Sequence, residues 1–274
     1  MIKRTTNNYI RIGTTLLLGI LLLTIIGPLL TDYGIEKVDV INRLSPPSAS
    51  HFWGTDNLGR DIYTRAVYGL STSLFIGFAV TFISSILGTI VGMVSAYSSL
   101  LDKVLMRVVD VIMAFPAIIV AIALSGILGS GMKNIIIALS IAYFPSIARI
   151  TKNAVLQVKE SEYVQSTVVI GKSNAYIIFR TVLPNIISPI LVQMTYIFAM
   201  AILNESILSF LGVGIKVPMP SLGGLVSDGR NYFSIAPWMV IFPGTIISSI
   251  VLSLNMIGDG LREYLNPKSL RKKG

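Results

Sequence analysis

Residues 74–96 read LFIGFAVTFISSILGTIVGMVSA, 23 consecutive positions without a charged side chain. An α-helix of about 20 such residues crosses the ~30 Å hydrocarbon core of a bilayer, because each residue adds ~1.5 Å. This stretch therefore predicts a membrane-spanning helix. The whole chain agrees, since 53% of its 274 residues are hydrophobic and only 13% are charged, against roughly 25% charged residues in soluble domains.

Five further stretches of the chain are also apolar. Together with residues 74–96 they predict an all-α membrane protein of six transmembrane helices. The fourth stretch holds only fifteen uncharged residues between Lys133 and Arg149. We expect it to continue past Arg149, to snorkel its ends or to thin the bilayer. Pro116, inside the third stretch, is expected to kink its helix. The six predicted spans cover residues 12–30, 74–96, 108–129, 134–148, 186–212 and 235–257.

The basic residues are concentrated in every second predicted loop. A cytoplasmic N-terminus places fifteen of the 22 lysines and arginines inside and seven outside, which is the bias expected of short cytoplasmic loops. A multi-pass protein with both termini in the cytoplasm is predicted, and the net charge of +9 then needs no nucleic acid to explain it. We divide the chain into an N-terminal anchor helix with an outer elbow loop, 1–73, and a five-helix core, 74–274.

Several chemistries are excluded by composition. The chain has no cysteine and one histidine, His51, so it cannot build a structural zinc or thiolate site alone. A serine hydrolase would have to use His51, and no nucleophile elbow accompanies it. The string Gly171-Lys172-Ser173 ends like a phosphate-binding loop, but Ser166 stands where that motif requires glycine. We predict no enzymatic activity, no catalytic residue, no metal site and no cofactor in this chain.

The cytoplasmic segment 151–185 differs from the other loops. Its valines and isoleucines follow the pattern of two short amphipathic helices broken at Gly171. Such a segment is either an ordinary amphipathic loop or an element that docks into a soluble partner.

Four motifs in this chain are typical of one transporter family. Permeases that pair with ATP-binding subunits carry E-A-A, three residues, glycine, nine residues, isoleucine, one residue and Leu-Pro. Here Gly171 is followed after nine residues by TVLP at 181–184, and QST at 165–167 occupies the E-A-A positions. The other motifs are GTDNLGRD at 54–61, SFLGVG at 209–214 followed by PMPS, and GDGLREYLNP at 258–267. The chain resembles the second-permease (C-type) subunit of the peptide and nickel ABC importers, a binding-protein-dependent inner-membrane component.

This resemblance implies a type I ABC importer permease bundle in the plasma membrane of a bacterium. Its partners would be a homologous permease in a heterodimer, two ATP-binding subunits that hold ATP and Mg²⁺, and an extracytoplasmic binding protein. The cytoplasmic segment would form coupling helices that dock on the ATP-binding subunit. The residues that carry this expected role are Gln165, Ser166, Thr167, Gly171, Leu183 and Pro184.

The substrate is less well determined by the sequence. The short first outer loop looks more like that of nickel importers, so we expect nickel, free or chelated, with a di- or oligopeptide as the alternative. A secondary transporter is the alternative from another class, but it would need inverted repeats and several buried acids.

Charged residues in or near the spans suggest local roles. Glu205 is a candidate for the translocation path, or else pairs with a neighbouring cation. Local helical pairing at an interval of three is expected for two acids near the inner ends of spans: Asp110 with Arg107, and Asp259 with Arg262. Acidic and basic residues alternate between Asp56 and Arg65, which predicts an internally paired outer elbow or a contact for the binding protein.

Overall fold

The computed structural model describes residues 2–215 and 218–265, with residues 2–7 described by their backbone alone, and nearly all of this chain is helical. Within these residues five helices are long and apolar enough to cross a bilayer, and six crossings result if one broken pair counts as a span. The predicted all-α class is confirmed. The helices are α1 Ile2–Ile26, α2 Ile62–Tyr97, α3 Ser99–Met113, α4 Ala117–Leu128, α5 Met132–Lys159, α6 Glu162–Val169, α7 Asn174–Tyr176, α8 Leu183–Phe210, α9 Leu222–Gly229 and α10 Trp238–Tyr264.

The centre of the bundle is the packing of α2 against α5 and α8. A Cβ atom on Gly88 would lie 2.5 Å from the Ile147 Cβ, and one on Gly92 would lie 2.5 Å from the Ala148 carbonyl oxygen. These two glycines of α2 therefore let the α5 backbone approach closely, as small residues do in membrane helices. The N-terminal helix α1 packs on α10 at the side of this core.

The third predicted span, 108–129, is not one straight helix. It is divided between α3 and α4, whose axes differ by 93° across the break that contains Pro116. Proline has no N–H and disfavours helical geometry in the residue before it, which explains a break here rather than a mild kink. Helix α4 alone has 12 residues, or about 18 Å of length.

Ion pairs attach α3 to α5 and correct one expectation. Asp110 does not pair with Arg107; instead its Oδ1 lies 2.6 Å from Arg149 Nη2. Asp102 likewise lies 2.5 Å from Lys152 Nζ. The turn at Pro116 brings α3 back along α5, so the partner in space differs from the partner in sequence.

The fourth predicted span is much longer than its uncharged core of fifteen residues. Helix α5 runs over 28 residues and continues past Arg149 to Lys159. Continuation past Arg149 was one of the three ways in which this short stretch was expected to span the bilayer. The second helix also exceeds its prediction, because α2 begins at Ile62, with the Asp61 side chain accepting from the Thr64 backbone N–H at its first turn.

Candidate functional site

The segment that joins α5 to α8 consists of α6, a glycine turn and the start of a second helix. Gly171 has a φ of +78°, a conformation that favours glycine and often ends helices. Its N–H donates to the Val168 carbonyl at 2.9 Å. Ser173 Oγ then accepts from the Tyr176 N–H at 3.3 Å and caps the next helix. The predicted helix break at Gly171 is present.

The pattern predicted a second short helix in this segment, but the structure shows that this helix is not a separate element. After α7 the chain passes through a π-helical turn, Ile177–Val182, and continues directly into α8. Together these pieces form one apolar helix from Asn174 to Phe210. The turn at Gly171 is therefore followed by a continuous helix that enters the bundle.

One face of the segment is anchored in the protein. Val164 of α6, Ile177 and Val182 are buried, and they pack in a single cluster with Val155 of α5 and Ile186 of α8. These contacts hold the segment against both of the helices that it connects. Burial of aliphatic side chains of this size contributes about 1.5–3 kcal/mol each.

The last residues of α6 expose apolar side chains just before the turn. Val168, Val169 and Ile170 are 56%, 86% and 73% exposed. Three consecutive exposed aliphatic residues at a helix C-terminus are expensive in water and indicate a surface that a partner covers.

The structure brings some of the predicted coupling residues together and separates others. Gln165 and Ser166 line a surface hollow of about 500 Å³ together with Val169 and Ile170. Thr167 is half-buried, and its hydroxyl donates to the Tyr163 carbonyl at 2.8 Å.

The Leu-Pro pair lies elsewhere. Leu183 and Pro184 occupy the first turn of α8, where Leu183 packs against the buried cluster of valines and isoleucines. The coupling role of all six residues stays a prediction.

A second polar cluster holds the outer elbow in place. Asp56 accepts from the backbone N–H of Arg60 at 2.9 Å and from its Nε at 2.6 Å. Asp228 of α9 lies 3.8 Å from Arg60 Nη2 and 3.6 Å from Arg65 Nη2. The elbow is therefore internally paired, which is the first of the two roles predicted for its alternating charges. Sequence reasoning missed Asp228, because nothing local indicates a partner so distant in the chain.

His51 belongs to the same elbow and is buried. Its Nδ1 lies 2.9 Å from Asp61 Oδ1, and its ring stacks on Tyr33 at a centroid distance of 4.7 Å. The other Asp61 oxygen accepts from both the N–H and the hydroxyl of Thr64, each at 2.8 Å. These contacts attach the elbow to the start of α2. Within the described residues no group of three potential His, Cys, Asp or Glu ligands surrounds a metal position.

Glu205 is fully buried in α8. Its carboxylate accepts from Ser73 Oγ of α2 at 2.9 Å and from Ser209 Oγ at 2.8 Å. The Ser209 hydroxyl lies 3.3 Å from Ser221 Oγ, beside the start of α9. Glu205 thus links α2, α8 and the outer helix α9 through serine hydroxyls. Its predicted place on the translocation path stays a prediction.

Comparison with known proteins places this geometry in a family. A family model described as "Binding-protein-dependent transport system inner membrane component" matches residues 84–271. The chain belongs to this family. A putative peptide transport system permease protein of Brucella suis biovar 1 is 45% identical over 258 residues, covering 94% of this chain and 87% of the relative. The oligopeptide transport system permease protein OppC of Bacillus subtilis is 36% identical, covering 99% and 89%.

The solved structures support the fold of the family. The inward-facing MetNI methionine ABC transporter contains a chain that aligns with a TM-score of 0.60 at 17% identity, covering 74% of this chain and 97% of that chain. The type I ABC importer permease fold is therefore confirmed. The expected family is confirmed as well, as an ABC importer permease of the peptide branch.

The comparisons do not support the nickel expectation. The relatives reported above are named for peptides and oligopeptides, and a further one, 42% identical, is the dipeptide transport system permease protein DppC of Alkalihalophilus pseudofirmus. None of these names refers to nickel. The peptide alternative therefore fits this chain better than the nickel interpretation, which rested on the length of one loop.

Proposed function

We propose that this chain is one of the two permease subunits of a bacterial importer for di- or oligopeptides. The exposed aliphatic patch at residues 168–170 carries the proposal, because it is a docking surface at the end of α6, beside the glycine turn that leads into the long helix from Asn174 to Phe210. The names of relatives at 36–45% identity support peptides as the cargo.

The proposed partners follow from this role. A homologous permease completes the pore, two ATP-binding subunits hold ATP and Mg²⁺ and dock on the two coupling segments, and an extracytoplasmic binding protein delivers the peptide. The chain itself hydrolyses nothing. In this arrangement α3 and α4 together make the sixth crossing, so that both termini lie in the cytoplasm.

Alternating access would follow from docking. When the ATP-binding subunits close, they move the coupling segment as a rigid unit, since Val164 and Ile177 fix it to the bundle. The movement passes into α8 and α5 and opens the bundle to one side at a time. A ligand shifts such an equilibrium only as far as it binds one state better than the other, and closed ATP-bound partners supply that difference.

The test is uptake in cells that lack this gene. We expect loss of labelled di- and tripeptide uptake, restored by the gene on a plasmid, and unchanged uptake of radiolabelled nickel. Loss of nickel uptake that peptides do not compete with would refute the peptide proposal. Unchanged uptake of both in the deletion strain, with no other peptide importer present, would also refute it.

A further inference from the structure

A cleft of about 750 Å³ lies between α5, α8 and α10, at the end of the bundle that carries the coupling segment. Much of its wall is aliphatic, but one group of side chains differs from the rest. They are amides or charged groups on helices that otherwise run through hydrocarbon: Gln157, Asn185, Gln193, Asn255, Asp259 and Arg262.

These polar residues form stripes along the helices. On α10, Asn255, Asp259 and Arg262 follow one another at intervals of four and three, so they share one face. Helix α8 also has a polar face towards the cleft and an apolar face away from it. Its Gln193 faces the cleft, whereas Leu191 lines a separate and almost wholly apolar cavity against α2.

Much of this polar lining has no partner within the part of the chain that the structure describes. Gln157 and Asn255 make no hydrogen bond there. Asp259 and Arg262 form no ion pair there, so the expected local pairing of these two residues is not observed. Pro189 also lines the cleft, and because it has no N–H it cannot bond the main-chain carbonyl of Asn185 one turn earlier.

Asn255 lies inside the predicted span 235–257, and an unpartnered polar group is tolerated at membrane depth only where it faces water or a ligand. This cleft therefore holds water or a polar solute. Its volume lies within the ~300–1,000 Å³ usual for small-molecule sites.

We propose that this cleft is the cytoplasmic part of the peptide's passage. The inference rests on the proposed function and adds the residues that contact the cargo. Side-chain amides each offer a donor and an acceptor, which matches the alternating N–H and C=O groups of a peptide main chain without selecting its side chains. Asp259 binds the peptide ammonium group and Arg262 binds its carboxylate.

The charged pair has the right spacing for a short peptide. Cβ atoms three residues apart on a helix are about 5–6 Å apart, and the two residues of an extended dipeptide span at most ~7 Å. A passage also requires that binding be weak enough for release. A few amides and one exposed pair of charges meet that requirement better than a closed pocket would.

The absence of native cysteines allows a direct test. Gln193→Cys and Asn255→Cys are made singly, with Leu191→Cys as the matched control, and each is assembled with all partner subunits in inside-out vesicles. Leu191 is 42% exposed and more open than half-buried Gln193, so labelling that merely followed exposure of the isolated subunit would favour the control over Gln193→Cys. Asn255 is exposed, like Leu191, and differs from it in the cavity that it lines. A water-soluble, membrane-impermeant methanethiosulfonate reagent is the probe.

We expect the two cleft variants to react about tenfold faster than Leu191→Cys, since one unit of pKa elevation in apolar surroundings lowers the thiolate fraction tenfold. A transported dipeptide should slow their labelling. Gln193→Leu should reduce uptake about tenfold, the effect of one lost hydrogen bond, whereas Gln193→Asn should retain most of it.

The possible outcomes separate the two proposals. If the unmodified chain transports peptides but Leu191→Cys labels as fast as the cleft variants, the cleft is not the passage. Labelling that the dipeptide does not slow would overturn the inference in the same way. Failure of the unmodified chain to transport any peptide would instead refute the proposed function, and the inference with it.

Discussion

Replacing Gly171 by valine tests whether the turn of the coupling segment links ATP hydrolysis to transport. Gly171 has a φ of +78°, and a Cβ atom there would meet no heavy atom within 4 Å. A clash is therefore absent, and the cost of the substitution is purely that of the backbone conformation. For an L-residue this cost is roughly 1–2 kcal/mol, and a β-branched side chain adds restriction.

The functional effect follows from that free energy. Each 1.4 kcal/mol changes an equilibrium constant tenfold, so the equilibrium constant for adopting the turn falls about 5- to 30-fold. We expect dipeptide uptake by Gly171→Val to fall by about this factor, while its amount in the membrane stays the same. The assay is initial uptake of labelled dipeptide in the deletion strain, normalised to permease measured by quantitative immunoblot.

Two control variants make the result specific. Gly171→Asn should retain most uptake, because asparagine tolerates a positive φ. Gly129→Val introduces similar strain, at a φ of +81° and with only Asn134 Nδ2 at 4.0 Å, but in the loop between α4 and α5. Unchanged uptake in Gly171→Val, or an equal loss in Gly129→Val, would refute the reasoning that this turn couples the subunits.

Three further predictions concern the interior of the bundle, and each is checked by thermal unfolding in detergent. Asp56→Ala removes the carboxylate that pairs with buried arginine, which costs about 3–5 kcal/mol and should lower the Tm by about 10 °C. Asp39→Ala, at a half-buried loop position whose carboxyl pKa is lowered by the Asn42 side-chain amide, removes only local hydrogen bonds and should lower the Tm much less. Glu205→Leu leaves two serine hydroxyls unpaired and should lower the Tm, whereas Glu205→Gln keeps an acceptor; equal loss of uptake in both, at an unchanged Tm, would instead favour a place on the path. Gly88→Leu should prevent assembly of the bundle because Ile147 is too close, while Gly126→Leu, which meets nothing within 4 Å, should not.

Much of the fold was predictable because the relevant signals are local. Long uncharged stretches reveal membrane helices wherever they occur. The break at Gly171 was predictable for the same reason. The break at Pro116 was underestimated, because a proline signals a disturbed helix but its angle depends on what α3 finds to pack against.

The candidate sites were predicted less completely. The motif around Gly171 predicts a coupling segment, but which of its side chains are exposed depends on how α6 packs under α5 and α8. Asp228 and the serine partners of Glu205 had no local signal, since they approach only after distant helices associate. The cleft between α5, α8 and α10 was missed altogether, because Gln193, Asn255 and Asp259 are unremarkable until two helix faces are seen to oppose each other.

The sequence by itself determined that this protein lies in a membrane, that it belongs among the importer permeases and that the segment between its fourth and fifth predicted spans has a glycine turn. These properties depend on apolar run lengths and on motif spacing, which are fixed along the chain. Only the tertiary structure decided that Asp110 pairs with Arg149, that Asp228 completes the elbow and that polar stripes meet in a cleft. Such contacts depend on rotations and crossings of helices, and those are set by packing between segments far apart in the chain.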